Sequence, residues 1–170
     1  MRIYRVVNAS ELAAAYAAAD YGVTLDGDTV RLRVGEPATD LEAYWPASRY
    51  VFVTAWNPAS EPHSDTINES ADALLVSQLD ADGVARLRAW AQGPDGHWHE
   101  PGWLLADVDD HAADHLAREF GQAGVLCWTR GEPVRLRMLI QRPDPASPSA
   151  SESPYTDWPG ETVPETQCAG

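Results

Sequence analysis

Four polar side chains lie at the ends of predicted helices and strands, where ligand clefts form in proteins that combine the two. Asn57 follows an apolar strand, Asn68 lies in the first turn of a helix, and Glu100 and Gln122 lie at further boundaries. Amides donate and accept hydrogen bonds, and a carboxyl with a shifted pKa can exchange protons. We interpret these four as candidate ligand-binding residues and expect Asn57, Glu100 and Gln122 to converge. The alternative, that they tie down loop backbone, stays open.

A second candidate surface comes from the tripeptide Arg-Leu-Arg, which occurs at 31–33, 86–88 and 135–137 and accounts for six of the 12 basic residues. Side chains alternate across a strand, so each triplet places Leu on one face and two Arg on the other. Arg86 and Arg88 share their face with Trp90, and this set is a candidate ligand platform. The guanidinium groups require compensation, by the chain's own carboxylates, which we favour, or by an external anionic ligand or acidic partner.

The histidines do not predict a metal site. His111 and His115 have the one-turn spacing of helical zinc ligands. Their helix, however, buries the opposite stripe, so both point to solvent together with Asp114. The pair His97 and His99 lies on a predicted strand. We expect neither a metal nor another cofactor.

Nucleophilic catalysis has little support in the sequence. Cys127 lies on a strand that should be buried, where cysteine is normally inert. The chain contains neither a Gly-x-Ser-x-Gly elbow nor a phosphate-binding glycine loop. Whether the protein is an enzyme is left open.

Composition is that of a globular cytoplasmic protein with no membrane-spanning segment. The 170 residues carry a formal net charge of -14, and 44% are hydrophobic. Such an acid excess does not favour direct nucleic-acid binding, although it is compatible with an acidic decoy of nucleic acid. All the basic residues are Arg, which is typical of a bacterial genome rich in G and C.

The pattern of elements predicts a single α+β domain over residues 1–140. Helices are expected at 11–20, 66–79 and 111–120, each followed by two strands. We expect a mixed or antiparallel sheet with about three helices packed on one face. The second helix should turn Ile67, Ala71, Leu74, Leu75 and Gln78 inward. Residues 141–170 are rich in Pro and Ser, are acidic, and predict a disordered tail.

Three segments, at 53–58 with Asn68 downstream, at 98–103 and at 117–123, resemble an uncharacterised bacterial family, the domain of unknown function DUF3293. The resemblance covers about residues 8–140. Gly102 is a departure, because the family often has a small polar residue there. The resemblance implies a shared fold and a shared site, and it implies no chemistry.

These observations favour a small binding or protein-interaction module. The first alternative is a small enzyme with a cleft near Asn57, Glu100 and Gln122. The second is the acidic decoy.

Overall fold

The computed structural model describes residues 8–96, 98–142 and 153–159. Three of its helices begin at polar N-caps, namely Asn8, Ser64 and Asp109, whose side chains accept a backbone N–H from the first turn. None of the described helices is long and apolar enough to cross a membrane. The helices are α1 (Ala9–Ala18), α2 (Thr39–Tyr44), α3 (Asp65–Ala81) and α4 (Asp110–Glu119), with a 3-10 turn at Pro58–Ser60.

Within the described residues, eight strands form one sheet in the order β2-β1-β4-β5-β3-β6-β7-β8. All neighbours are antiparallel except β7 and β8, which are parallel. The predicted α+β class with a mixed, mainly antiparallel sheet is therefore confirmed. The strands are β1 (Asp20–Leu25), β2 (Asp28–Leu32), β3 (Arg49–Val53), β4 (Arg86–Gln92), β5 (Glu100–Ala106), β6 (Gly124–Thr129), β7 (Arg135–Met138) and β8 (Thr156–Asp157).

Both faces of the sheet are covered by helices, not one face as the sequence predicted. The central strand β3 is apolar on both sides, so it needs a core on each. Tyr50 and Phe52 belong to a core shared with α1 and α2. Val51 and Val53 belong to a second core, shared with α3 and α4. The additional helix α2 lies outside the three helices that the sequence predicted.

The inward face of α3 differs from the predicted one. Leu75 and Leu79 are buried together with Asn68. Ile67 and Leu74, by contrast, are 56% and 67% exposed. Burial of the polar Asn68 turns the helix relative to the orientation that its aliphatic residues alone would favour.

Residues 153–159, within the predicted tail, pack against the domain. Thr156 lies beside Leu136 in the parallel β7–β8 pair, and Leu136 N donates to Tyr155 O over 2.9 Å. Trp158 is 9% exposed and joins the core on the α1 side. The prediction of a disordered tail therefore does not apply to this segment. The rest of the predicted tail, 143–152 and 160–170, lies outside the described residues.

We expect the packed C-terminal segment to contribute to stability. Trp158→Ala should lower the free energy of unfolding by about 3 kcal/mol, because a buried indole leaves a cavity. Pro154→Ala, at an exposed position of the same segment, is the control and should change little. Urea denaturation of both variants measures the difference. Equal stability of Trp158→Ala and wild type would show that the segment does not pack in solution.

Candidate functional site

The loop after β3 is fixed by a reciprocal pair of hydrogen bonds between two asparagines. Asn57 N donates to Asn68 Oδ1, and Asn68 Nδ2 donates to Asn57 Oδ1, each over 2.9 Å. Asn57 has a left-handed backbone with φ 44°, a conformation that asparagine tolerates better than most residues. Asn68 is only 1% exposed. A buried helical side chain therefore sets the direction in which the Asn57 amide points.

That amide points at Glu100, the first residue of β5. Asn57 Nδ2 donates to Glu100 Oε1 over 3.0 Å, and Trp98 Nε1 donates to the same oxygen over 2.8 Å. Burial raises the pKa of the Glu100 carboxyl above its ordinary value, while these two hydrogen bonds act in the opposite direction. Both donated bonds end on Oε1, so Oε2 receives no hydrogen bond from the described residues.

Glu100 lies in the wall of a small cavity of about 50 Å³ on the α1 side of the sheet. Tyr16 and Ser60 place a hydroxyl pair in the same wall, with their oxygens 2.7 Å apart. Burial raises the pKa of the Tyr16 phenol, so it remains a neutral hydrogen-bonding group. Neither hydroxyl was predicted from the sequence, because Tyr16 lies in a helix rather than at an element boundary and no motif marks Ser60.

Gln122 lines the same cavity, but its amide also bonds to the protein backbone. Its Nε2 donates to Trp56 O over 3.1 Å and makes a longer contact of 3.5 Å with Phe120 O. The expected convergence of Asn57, Glu100 and Gln122 is thus present in the structure. Asn68 stands behind Asn57. A ligand-binding role for these four residues stays a prediction. Asn68 and Gln122 also stabilise the fold, because their side chains form hydrogen bonds with the backbone of Asn57 and Trp56.

The remaining predicted site residues lie on the other face of the sheet. The guanidinium groups of Arg86 and Arg88 lie 5.2 and 4.9 Å from the ring centroid of Trp103. Trp90 instead lies over Gly22, where a Cβ atom would come within 2.3 Å of its ring. The structure therefore separates the candidate residues into a cavity group and an Arg/Trp group.

The Arg-Leu-Arg strands are not neighbours, so their six guanidinium groups do not form one continuous surface. β2, β4 and β7 are separated by other strands of the sheet. Several of these arginines pair with the chain's own carboxylates, as favoured from the sequence. Arg137 holds Asp114 with contacts of 2.6 and 2.9 Å. Asp114 is 9% exposed, so the prediction that it points to solvent is wrong.

Neither a metal cluster nor a reactive thiol is seen in the described part of the chain. No group of three or more potential ligands among His, Cys, Asp and Glu occurs there. His97 lies outside it. Cys127 is buried, and burial together with Asp110 raises the pKa of its thiol to about 11. Such a thiol is protonated at neutral pH and a poor nucleophile.

Replacing Glu100 with Gln should make stability less dependent on pH. Gln keeps an acceptor for Asn57 and Trp98 but carries no charge. Because the folded-state pKa of Glu100 is raised, wild type loses stability relative to the variant as pH rises through that pKa. Glu100→Gln should therefore match wild type at about pH 3.5 and exceed it at pH 7. Denaturation series across this range measure the difference.

Glu132→Gln, at an exposed position, is the matched control for that series. A constant difference between Glu100→Gln and wild type over the whole pH range would contradict a raised pKa for Glu100.

Comparison with known proteins agrees with the resemblance predicted from the motifs, but it does not indicate an activity for this chain. No curated protein and no solved structure is significantly similar to the chain. One family model matches, and its segment contains Asn57, Asn68, Glu100 and Gln122 together with the strands and helices that position them. The resemblance is thereby confirmed: residues 53–125 match the model of the family described as a protein of unknown function, DUF3293.

Proposed function

We propose that this domain binds a small organic cation, with the charged group at Glu100 and an apolar body in the adjoining groove. The observation that supports the proposal is the environment of the Glu100 carboxyl. Its carboxyl is desolvated and held in place by Asn57 and Trp98. A partly desolvated carboxylate is unfavourable when it is unpaired, and among the described residues no cation pairs with Glu100. A ligand that supplies a positive charge relieves that cost.

The space around Glu100 supports a ligand with two parts. The cavity of about 50 Å³ has room only for a small polar group. A groove of about 530 Å³ adjoins it and shares Tyr16, Ser60 and Glu100 with it. Leu12 and Pro94 are among the apolar residues that line this groove. An amine attached to an aliphatic or aromatic body matches both volumes.

Charge and aromatic rings favour a cation over an anion at this site. The chain has a formal net charge of -14, which attracts cations at long range. Trp98, half exposed, lines the groove beside Glu100. Its indole can contribute a cation–π contact, which is worth about 0.5–1 kcal/mol at exposed sites.

A small enzyme is the second candidate, and the raised pKa of Glu100 is the observation that favours it. Such a carboxyl can transfer protons closer to neutral pH. In an enzyme, Glu100→Gln would retain much of its substrate binding and lose turnover, whereas in a cation-binding domain it loses binding. The decoy has less support, since Asp80, Asp114 and Asp157 pair with the chain's own arginines.

Benzylamine is a suitable probe, with benzyl alcohol as its neutral counterpart. We expect benzylamine to shift NMR signals of Tyr16, Trp98 and Glu100, and benzyl alcohol to bind more weakly. Affinity for the amine should increase as pH rises through the raised pKa of Glu100, because only the carboxylate pairs with the cation. Glu100→Gln should reduce that affinity about tenfold and remove its pH dependence.

Glu132→Gln changes the net charge equally at an exposed position and should bind the amine as wild type does. Equal amine binding by Glu100→Gln and Glu132→Gln would contradict the proposal.

A further inference from the structure

The C-terminal segment shows how this fold holds an acidic strand. β8 extends the sheet beside β7, whose first three residues are Arg-Leu-Arg. Arg135 Nε and Nη2 each donate to the Asp157 carboxylate over 2.8 Å. The same guanidinium lies 5.8 Å from the ring centroid of Tyr155. Main-chain pairing and a forked Arg–Asp contact together hold the segment, which is strand addition in its simplest form.

Side chains of the docked segment alternate to match the two faces of the sheet. Asp157 contacts Arg135 on the α4 side. Trp158 points the other way, into the core that contains Leu136. The strand is thus recognised by an acidic residue on the arginine face and an aromatic residue on the leucine face.

The other end of the sheet carries a second Arg-Leu-Arg sequence, at 31–33. Leu32 is 2% exposed and belongs to the same core as Leu136. Arg31 and Arg33 are exposed on the opposite face. In the part of the chain that the structure describes, neither forms an ion pair. These arginines therefore differ from Arg135 in lacking a carboxylate.

The main chain of β2 is also available along one edge. β2 pairs with β1 on one side and is the terminal strand of the sheet. Beyond the strand itself, Val34 bridges to Val134 and Pro37 bridges to Pro133, in the segment just before β7, and Gly35 lies against the ring of Tyr155. Over Asp28–Leu32, the described residues provide no second partner strand.

We propose that the free edge of β2 binds an extended acidic segment of a partner protein, by the mode in which β7 binds β8. The partner segment would carry Asp or Glu opposite Arg31 and Arg33, and an aromatic residue that packs beside Leu32. This surface is distinct from the Glu100 cavity, so it does not depend on the cation-binding proposal. The positive charge of Arg31 and Arg33 complements the acidic residue of the partner segment. The pairing of residues 153–159 with β7 shows the geometry that such a segment would adopt.

The chain's own sequence provides the probe. A capped peptide of residues 153–159, Ser-Pro-Tyr-Thr-Asp-Trp-Pro, labelled at its N-terminus, is titrated into the full-length protein by fluorescence anisotropy. We expect saturable binding and protection of the backbone amides of residues 29–33 from hydrogen exchange. Arg31→Ala with Arg33→Ala should weaken binding at least about tenfold, as should Asn in place of the peptide's Asp.

Two further variants identify the site. Arg135→Ala tests whether the peptide merely replaces β8 on β7, and it should retain binding. Arg118→Ala, an exposed position in α4, controls for the loss of an arginine and should also retain it. Circular dichroism confirms that each variant is folded.

Binding lost in Arg135→Ala but kept in the Arg31/Arg33 double variant would place the peptide on β7 and overturn the proposal. Absence of saturable binding to wild type would overturn it equally. Arg31 and Arg33 would then serve only to prevent the edge from pairing with other chains.

Discussion

The reciprocal hydrogen bonds between Asn57 and Asn68 connect the two sides of the sheet. Asn68 belongs to α3, on one side of the sheet, while Asn57 directs its amide to Glu100 on the other. The cavity therefore depends on how a helix docks behind it. A buried amide pair is costly when one partner is lost, since the other keeps an unpaired polar group. This constraint explains why α3 buries Asn68 and leaves Ile67 in solvent.

The sheet itself separates the two surfaces that are candidates for binding. Its α1 side combines Glu100 with hydroxyl and apolar groups around a cavity. Its other side carries the arginines, most of which the fold neutralises with carboxylates or stacks on Trp103. The positive charge of Arg31 and Arg33, at the β2 edge of the sheet, contrasts with the formal net charge of -14 of the whole chain. We therefore propose ligands of opposite charge for the two surfaces.

Local patterns predicted the parts of the fold that depend on neighbouring residues. Element boundaries placed Asn57, Glu100 and Gln122 at sheet ends, which brought them together as expected. Features set by distant contacts were missed. Asp114 is buried because Arg137 reaches it from another strand, and Trp158 packs because β7 offers an edge. The helical periodicity around Asp114 contains no information about Arg137. The composition of the tail likewise contains no information about its pairing with β7.

The most direct test is the pKa of the Glu100 carboxyl, measured by carbon-13 NMR titration in wild type and in Asn68→Ala. Burial should hold the wild-type pKa above its ordinary value of 4.5. Without Asn68, the Asn57 amide loses its alignment, and the hydrogen bond that favours the carboxylate weakens. We therefore expect a still higher pKa in the folded variant. An ordinary pKa in wild type, or the same pKa in both proteins, would contradict the account.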